Sequence, residues 1–526
     1  MTGTLKRFGG PILFLAIVML FQAHVFAEDR AIAPAVKNIE ADAVSDRETQ
    51  ARPARIDLRG AIQRLLAGNS DVKTLLIEYE GAGDALLRNG AKYDPLLIAG
   101  AEGGRSVSYN MFTRSTDGVS TARGYGGIEQ RLGTGTTLRA TLDSSLAMMP
   151  ETRLLVGGER FDFGGDVYNT RVRLEIAQDL FKNAFGSADR LEKKRAGTQA
   201  DIQKAVVRAR LAVLIAAAVA SFYDVADARA ELATARADIQ STTGIRDMLA
   251  LKLTQGLAAP EEAYEWNCRL SQARMAAAAS ERRLDECMSA LLRALDIPPG
   301  GAIEIEEAFT VNAPDVPFDS ALRDAFAKRP DWRARKLAVE RAGLELEMAS
   351  NGARPSLMLK LGAGGNGYDP DSYPGTLGQG RQAVEYYAGM EMRYPLGDSG
   401  AAADEAEAGR NAAVERENLR KIEREIRDEV AARIKDCASA HAVYREAGEA
   451  REFARAYYAE VLMQFQRGRV QSTNLKTALD TYTRAEHVAA RALLGYNIAL
   501  LRRDLARNTF IEGLGVDIEA LLRKVE

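Results

Sequence analysis

The chain has 526 residues, with 70 Lys plus Arg against 73 Asp plus Glu and a formal net charge of -3. That balance supplies no basic face for nucleic acid. The length could hold three ordinary domains, but the elements below do not segregate that way.

Met1 to Ala27 reads as a secretory signal: Lys6 and Arg7, an apolar run from Pro11 to Phe21, and Val25-Phe-Ala27 as the cleavage site. The apolar run is too short to span a bilayer. Losing Lys6 and Arg7 takes the net charge from -3 to -5. Residues 28–55 mix Ala, charge and Pro without periodicity and read as an extended leader. Residues 56–94 carry a helical pattern that stops at Pro95, and residues 95–178 carry strands. Leu97, Ala99 and Ala101 face one way on the first strand; on the return strand, Asn169 to Gln178, Val172, Leu174 and Ile176 alternate with Arg171, Arg173 and Glu175. Between them, Gly124 to Leu132, Gly133-Thr-Gly135 and Thr136 to Leu146 give a hairpin signal, with Leu138, Ala140 and Leu142 against Thr137, Arg139 and Thr141.

Residues 179–297 then read as a long helical hairpin, Ala188 to about Leu253 and a partner from Pro260, turning at Gly256-Leu257-Ala258. Its greasiest stretch, Leu211 to Ala220, is closed by charges at both ends, and no segment here reads as a membrane helix. A linker, 298–316, leads to a second round: helix 317–354, strands 355–396, helical hairpin 397–508 and a tail 509–526. Phe318 to Pro355 repeats the first helix without a gap at an offset of 260 (Ala61 with Ala321, Asp71 with Asp331, Leu86 with Leu346, Pro95 with Pro355). A fixed register of that length signals internal duplication. The second strand pair alternates Leu357, Leu359 and Leu361 with Lys360, and Met390 and Met392 with Glu391 and Arg393. After Pro395-Leu-Gly397 a proline-free run extends to Arg467, with Leu419, Ile422, Ile426, Val430, Ile434 and Cys437 in a narrow stripe. Its turn, Gly468-Arg469-Val470, matches Gly256-Leu257-Ala258 at an offset of 212.

No catalytic constellation accompanies these elements. Gly362-Ala-Gly-Gly-Asn-Gly367 has the letters of a dinucleotide fingerprint but is followed by Tyr368-Asp-Pro370, not a helix N-terminus, and reads as a flexible outer loop. Gly397-Asp-Ser-Gly400 looks like a serine nucleophile segment, yet His441 and His487, the histidines outside the signal, lie in helical pattern downstream; the segment reads as a corner and cap. Neither histidine has a spaced ligand partner. The cysteines Cys268, Cys287 and Cys437 read as free thiols, with a bond from Cys437 to one of the others left open.

Strand, Pro-Leu-Gly corner, long helix, glycine turn and second long helix, repeated twice, resemble the TolC family of outer-membrane channel proteins over nearly all of the mature chain. The resemblance implies an α+β fold, with long antiparallel helical hairpins in an α-barrel coiled coil and a membrane β-barrel completed by homotrimerisation. It implies a trimeric conduit from periplasm to exterior in a tripartite efflux or type I secretion system, in the outer membrane and extending into the periplasm, without cofactor or metal. Its partners would be itself, a periplasmic adaptor, an inner-membrane pump and the lipid bilayer. Glu28, where many relatives carry a lipidated cysteine, implies no lipid anchor. Barrel strands of this kind alternate lipid and water. Val172, Leu174, Leu359, Met390 and Met392 are expected to face lipid, and Arg171, Arg173, Lys360, Glu391 and Arg393 the lumen. The family pattern gives four strands per chain and twelve per barrel, with the Gly124 to Leu146 hairpin outside the membrane, because Gly124, Gly126 and Gly127 weaken its first arm; eighteen strands follow if it spans. The turns Gly256, Leu257, Ala258 and Gly468, Arg469, Val470 would be periplasmic tips where an adaptor docks. The family's two tip aspartates are replaced by Asn474 and Thr477, leaving Asp480 as the nearest acidic candidate at the tunnel entrance. The reading from another class is a soluble periplasmic coiled-coil scaffold.

Overall fold

A computed structural model describes residues 54–110, 115–156, 159–256, 258–298, 303–306, 309–311, 315–380, 383–513 and 518–523. The signal and most of the leader lie outside them. The fold is mostly helical, with two pairs of long helices and one antiparallel sheet. It forms two compact units, one of residues 84–198 and 341–412, the other of residues 50–83, 199–340 and 413–526.

In the second unit, β1 (Ala54–Ile56) leads into α1 (Leu58–Gly68) and α2 (Ser70–Glu80). The sequence pattern reads as one helix here, but the structure breaks it at Asn69, whose ψ is 132°. The Asn69 side chain accepts hydrogen bonds from the Asp71 and Val72 N–H groups and so caps the new start. The second copy breaks at the same register for another reason. Between α6 (Phe318–Lys328) and α7 (Pro330–Gly352), Pro330 holds Arg329 extended at ψ 120°. Helix α4 (Ser187–Thr254), 68 residues without proline, and α5 (Pro260–Ala294) make the first long pair; α9 (Ser399–Gln466) and α10 (Ser472–Ala506) make the second. At 1.5 Å per residue a 68-residue helix extends roughly 100 Å.

Part of α4 is apolar enough, by length and composition, to cross a bilayer, contrary to the sequence reading. Its apolar side chains are used for packing. Leu211, Ile215, Val219, Phe222 and Val225 recur at steps of three and four and are buried against Leu291 and Leu295, with Ile62 and Leu65 of α1. Each such burial contributes about 1.5–3 kcal/mol. The strand β6 (Ile303–Ile305) pairs in parallel with β1 beside this core. Ile422, Ile426, Val430 and Ile434 of the predicted stripe cluster with Ala321 and Ala325, while Cys437 packs with Tyr496. The three cysteines are free.

The first unit holds α3 (Asp84–Ala91) and the sheet. Its strands are β2 (Leu96–Asn110), β3 (Ser115–Arg131), β4 (Thr136–Val156), β5 (Glu159–Asp179), β7 (Ser356–Asp369) and β8 (Val384–Arg393), in that spatial order and antiparallel throughout. This corrects the four-strand expectation. The Gly124 to Leu146 hairpin is continuous with the other strands, paired with β2 on one side and β5 on the other. Glycine does not exclude it, because Gly127 lies where a Cβ would strike the Ala140 carbonyl at 2.6 Å; the close strand approach needs the missing side chain. The glycines Gly362 to Gly367 are likewise inside β7, not in a loop. Tyr387 covers Gly362, as Tyr125 covers Gly100. A short helix, α8 (Tyr373–Gly380), follows and packs on Thr170 and Tyr168 through Thr376 and Tyr373. Where β5 enters α4, buried Asp189 takes Lys92 Nζ at 2.9 Å, Arg131 Nη2 at 3.2 Å and Asn183 Nδ2 at 2.8 Å.

Candidate functional site

Two groups of residues carry the functional expectations, one in each unit. In the sheet, the register separates side chains by alternation. Leu97, Ile128, Ala140, Leu174, Ala363 and Tyr386 trace one face from β2 to β8, because Leu97 pairs with Ile128, Ile128 with Ala140, Ala140 with Leu174, Leu174 with Ala363 and Ala363 with Tyr386. Val172, Leu359, Met390 and Met392 share that face, which carries exposed apolar side chains on all six strands. The inserted hairpin therefore carries the same band at the same level as its neighbours.

Arg171, Arg173, Lys360, Glu391 and Arg393 all lie on the opposite face, the two arginines of β5 at one level and the other three at another. Lys360 Nζ is 2.6 Å from Glu391, which also holds Arg393. The hairpin adds charges that the four-strand expectation left out of this face. Arg123 bonds Asp143 and Glu102, and Arg139 Nε donates to Glu129 at 2.8 Å. Alternation could have found them; what hid them was the assignment of the hairpin to the outside.

At the far turns of the other unit, Gly256 and Gly468 have φ of 69° and 70°, the left-handed conformation that ends a helix at low cost in glycine. Arg469 N–H reaches back to the Gln464 carbonyl at 2.9 Å to close the second turn. The two turns meet in one cluster. Ile245 and Leu249 of α4, Trp266 of α5, Val461 and Phe465 of α9, and Leu475, Ala478 and Leu479 of α10 are buried together, and Ala258 and Val470 pack against them. Lys252 Nζ, 2.6 Å from the Phe465 carbonyl, ties one hairpin to the other. Leu257 lies outside the described residues.

The entrance candidates sit in the first turns of α10. Thr477 spends its hydroxyl on the Thr473 carbonyl, 3.1 Å away. Asp480 is not a free carboxylate: Arg269 of α5 holds it at 3.0 Å and holds buried Asp238 of α4 at the same distance. Lys476 pairs with Glu265 at 2.6 Å, and that hydrogen bond raises its pKa. Arg469 is exposed and forms no ion pair among the described residues. His441 packs 4.9 Å from the Tyr496 ring, and no cluster of metal-ligating side chains occurs among the described residues.

No protein-family model matches the chain, and no curated protein matches it in sequence. Solved structures do match in fold. The Campylobacter jejuni CmeC outer membrane channel aligns at 13% identity and a TM-score of 0.63, over 89% of this chain and 89% of that one. The outer membrane protein VceC of Vibrio cholerae aligns at 14% identity and a TM-score of 0.61, over 87% of this chain and 96% of that one. The open state of the Neisseria gonorrhoeae MtrE outer membrane channel aligns at 16% identity and a TM-score of 0.58, over 88% and 93%.

Proposed function

We propose that this chain, which has the fold of the TolC-like outer-membrane channels, is itself an outer-membrane channel that assembles as a trimer and conducts cargo out of the periplasm. The observation that carries the reading is the sheet. Its apolar band crosses all six strands, and its outer strands, β2 and β8, each pair on one side only among the described residues. Such edges cannot stand bare in lipid. Six alternating strands leave β2 and β8 antiparallel to each other, so β8 of one copy matches β2 of the next. Three copies close a ring of eighteen strands, in the range of barrels that enclose an aqueous channel. The apolar band then faces lipid, and Arg171, Arg173, Lys360, Glu391 and Arg393 line the lumen.

The helices belong to the periplasm in this reading, and the clustered turns at Gly256 and Gly468 supply the surface for an adaptor of a tripartite efflux or type I secretion system. The test is fractionation followed by crosslinking. The protein is expected in the outer membrane, released by detergent as a trimer crosslinked between cysteines placed on β2 and β8, and conductive in planar bilayers. Recovery as a soluble periplasmic protein would replace the channel with a helical scaffold.

A further inference from the structure

The polar face of the sheet holds two guanidinium groups without counter-charges, and the register shows how they are left over. Arg171 stands directly across from Asp143, the carboxylate a cross-strand ion pair would use. Asp143 is instead held by Arg123, whose Nε lies 2.5 Å from its Oδ2 and whose Nη1 reaches Glu102 at 3.0 Å. On its other side Arg171 faces Asn366, and Arg173 faces Thr141 and Gly364, none of them charged. Glu175 takes the Tyr387 hydroxyl, and the Arg173 guanidinium lies 5.8 Å from the centre of that ring. Glu385, on the same face two strands from Arg173, forms no ion pair among the described residues. Among the described residues neither Arg171 nor Arg173 forms one either.

Part of the Arg171 guanidinium, and one atom opposite it, also lack hydrogen-bond partners. Arg171 Nε and Asn366 Oδ1 are buried without a hydrogen bond, on directly opposed residues. Asn366 is 6% exposed, and its amide nitrogen is spent on the Tyr368 hydroxyl at 3.0 Å. A buried donor left unmade is costly, so the Arg171 Nε–H favours an acceptor held there; the Asn366 oxygen, itself an acceptor, does not. Gly364 puts no side chain beside Arg173; an added Cβ there would strike the Val172 carbonyl at 2.5 Å. Guanidinium groups so placed match the oxygen pairs of carboxylates, phosphates and sulfates.

We propose that Arg171 and Arg173 form an anion-binding site on the wall of the conduit, and that the cargo it favours is small anions bearing carboxylate, phosphate or sulfate groups. The inference rests on the reading of this face as the lumen; three copies then present six guanidiniums around one bore. Citrate is the probe. In planar bilayers under a KCl gradient, the wild-type trimer is expected to prefer chloride and to be blocked by citrate. Arg171→Gln with Arg173→Gln is expected to raise the half-blocking citrate concentration about tenfold, the scale of one lost charge-assisted hydrogen bond per site, and to shift the reversal potential towards the cation side. Arg139→Gln with Glu129→Gln, which removes a cation and an anion paired only with each other on the same face, should change neither. Equal block and equal reversal potential in wild type and the arginine variant overturn the site. Calorimetric titration of citrate into the detergent-solubilised protein reads the same ratio without conduction. Equal binding there also overturns the site, whereas a wild type that binds citrate through these arginines but carries no current overturns the conduit reading alone.

Discussion

Ala140 is the residue at which membership of the hairpin in the barrel can be measured. It lies on β4 between Ile128 and Leu174, on the apolar face. If that face meets hydrocarbon, an arginine at Ala140 costs about 2–4 kcal/mol near the midplane, the same range as an arginine at Leu174. The proposed trimer would carry the substitution three times, so its ring would lose roughly 6–12 kcal/mol where the sites act independently. That is comparable with the whole stability of an ordinary domain. A charge on the next residue should behave differently. Thr141 points to the polar face beside Arg173, and Thr141→Glu is expected to cost less than about 1 kcal/mol. Refolding of the three variants into lipid vesicles, followed by denaturant titration and by the heat-resistant trimer on gels, gives the comparison. Ala140→Arg folding like wild type while Leu174→Arg fails would put the hairpin outside the bilayer and return the ring to twelve strands. Equal injury by Thr141→Glu would refute the assignment of faces.

Asp189→Ala should cost about 1–2 kcal/mol, because it takes a partner from Lys92, which keeps Glu192, and from the partly solvated Arg131 at the sheet-to-helix corner. Burial alone would raise the Asp189 pKa, but hydrogen bonds from Lys92 and Asn183 and the charge of Arg131 outweigh it and hold the value low. Its stabilisation is therefore complete above the unfolded carboxylate value, about 3.9, and is lost as pH falls through the lower folded value; Asp189→Asn should flatten acid melting curves in that window, and an unchanged curve would sink the argument. Arg329→Met should cost about 2 kcal/mol by thermal melting, since Asp331 and Glu429, both partly solvated, lose their shared partner; a loss under about 0.5 kcal/mol would mean that water replaces it fully. Gly256→Ala and Gly468→Ala should each cost about 1 kcal/mol from the left-handed backbone alone, since an added Cβ meets no atom within 4 Å. Asn474→Asp with Thr477→Asp should strengthen block of the bilayer current by trivalent cations, whereas Asp480→Asn should change it less because Arg269, shared with Asp238, already engages that carboxylate; strong block of wild type would move the entrance elsewhere.

The parts of this fold legible in the sequence are those written as periodicity. The stripe through Ile422, Ile426 and Val430 and the turns at Gly256 and Gly468 stand where spacing and glycine place them. The alternation of Arg171 and Arg173 with Val172 and Leu174 separates the two faces of β5 before any partner strand is known. Partnerships were not legible. Asp480 carries no sequence mark of Arg269, which comes from another helix pair, and Asn69 breaks a helix that the apolar pattern would continue. The glycines of β3 and β7 misled for a related reason. Glycine weakens a strand considered alone, but in a sheet it admits a neighbouring backbone or a covering ring, as Gly127 does with β4 and Gly362 with Tyr387.

The insertion in the first copy also obeys a rule that a single sequence does not display. A sheet that must close on copies of itself needs its two edge strands to pair, and in an alternating sheet their relative direction depends on whether the strand count is even or odd. One extra strand between β2 and β5 would make the edges parallel, and copies following one another in the same sense could no longer meet edge to edge in the antiparallel ladder of the other strands. A hairpin adds two strands and restores the parity, so it is the smallest insertion that widens such a ring without changing how its edges meet. The β3 and β4 arms satisfy both remaining conditions: their residues keep the register of the apolar band, and their charges, Arg123 with Asp143 and Arg139 with Glu129, pair on the other face. Removing residues 115–156 with a short turn in their place is therefore expected to leave a narrower ring that still forms trimers and conducts less current, while removing β3 alone should abolish trimers. Trimer formation by the single-strand deletion, seen on gels and in bilayers, would show that β2 and β8 of neighbouring copies do not pair.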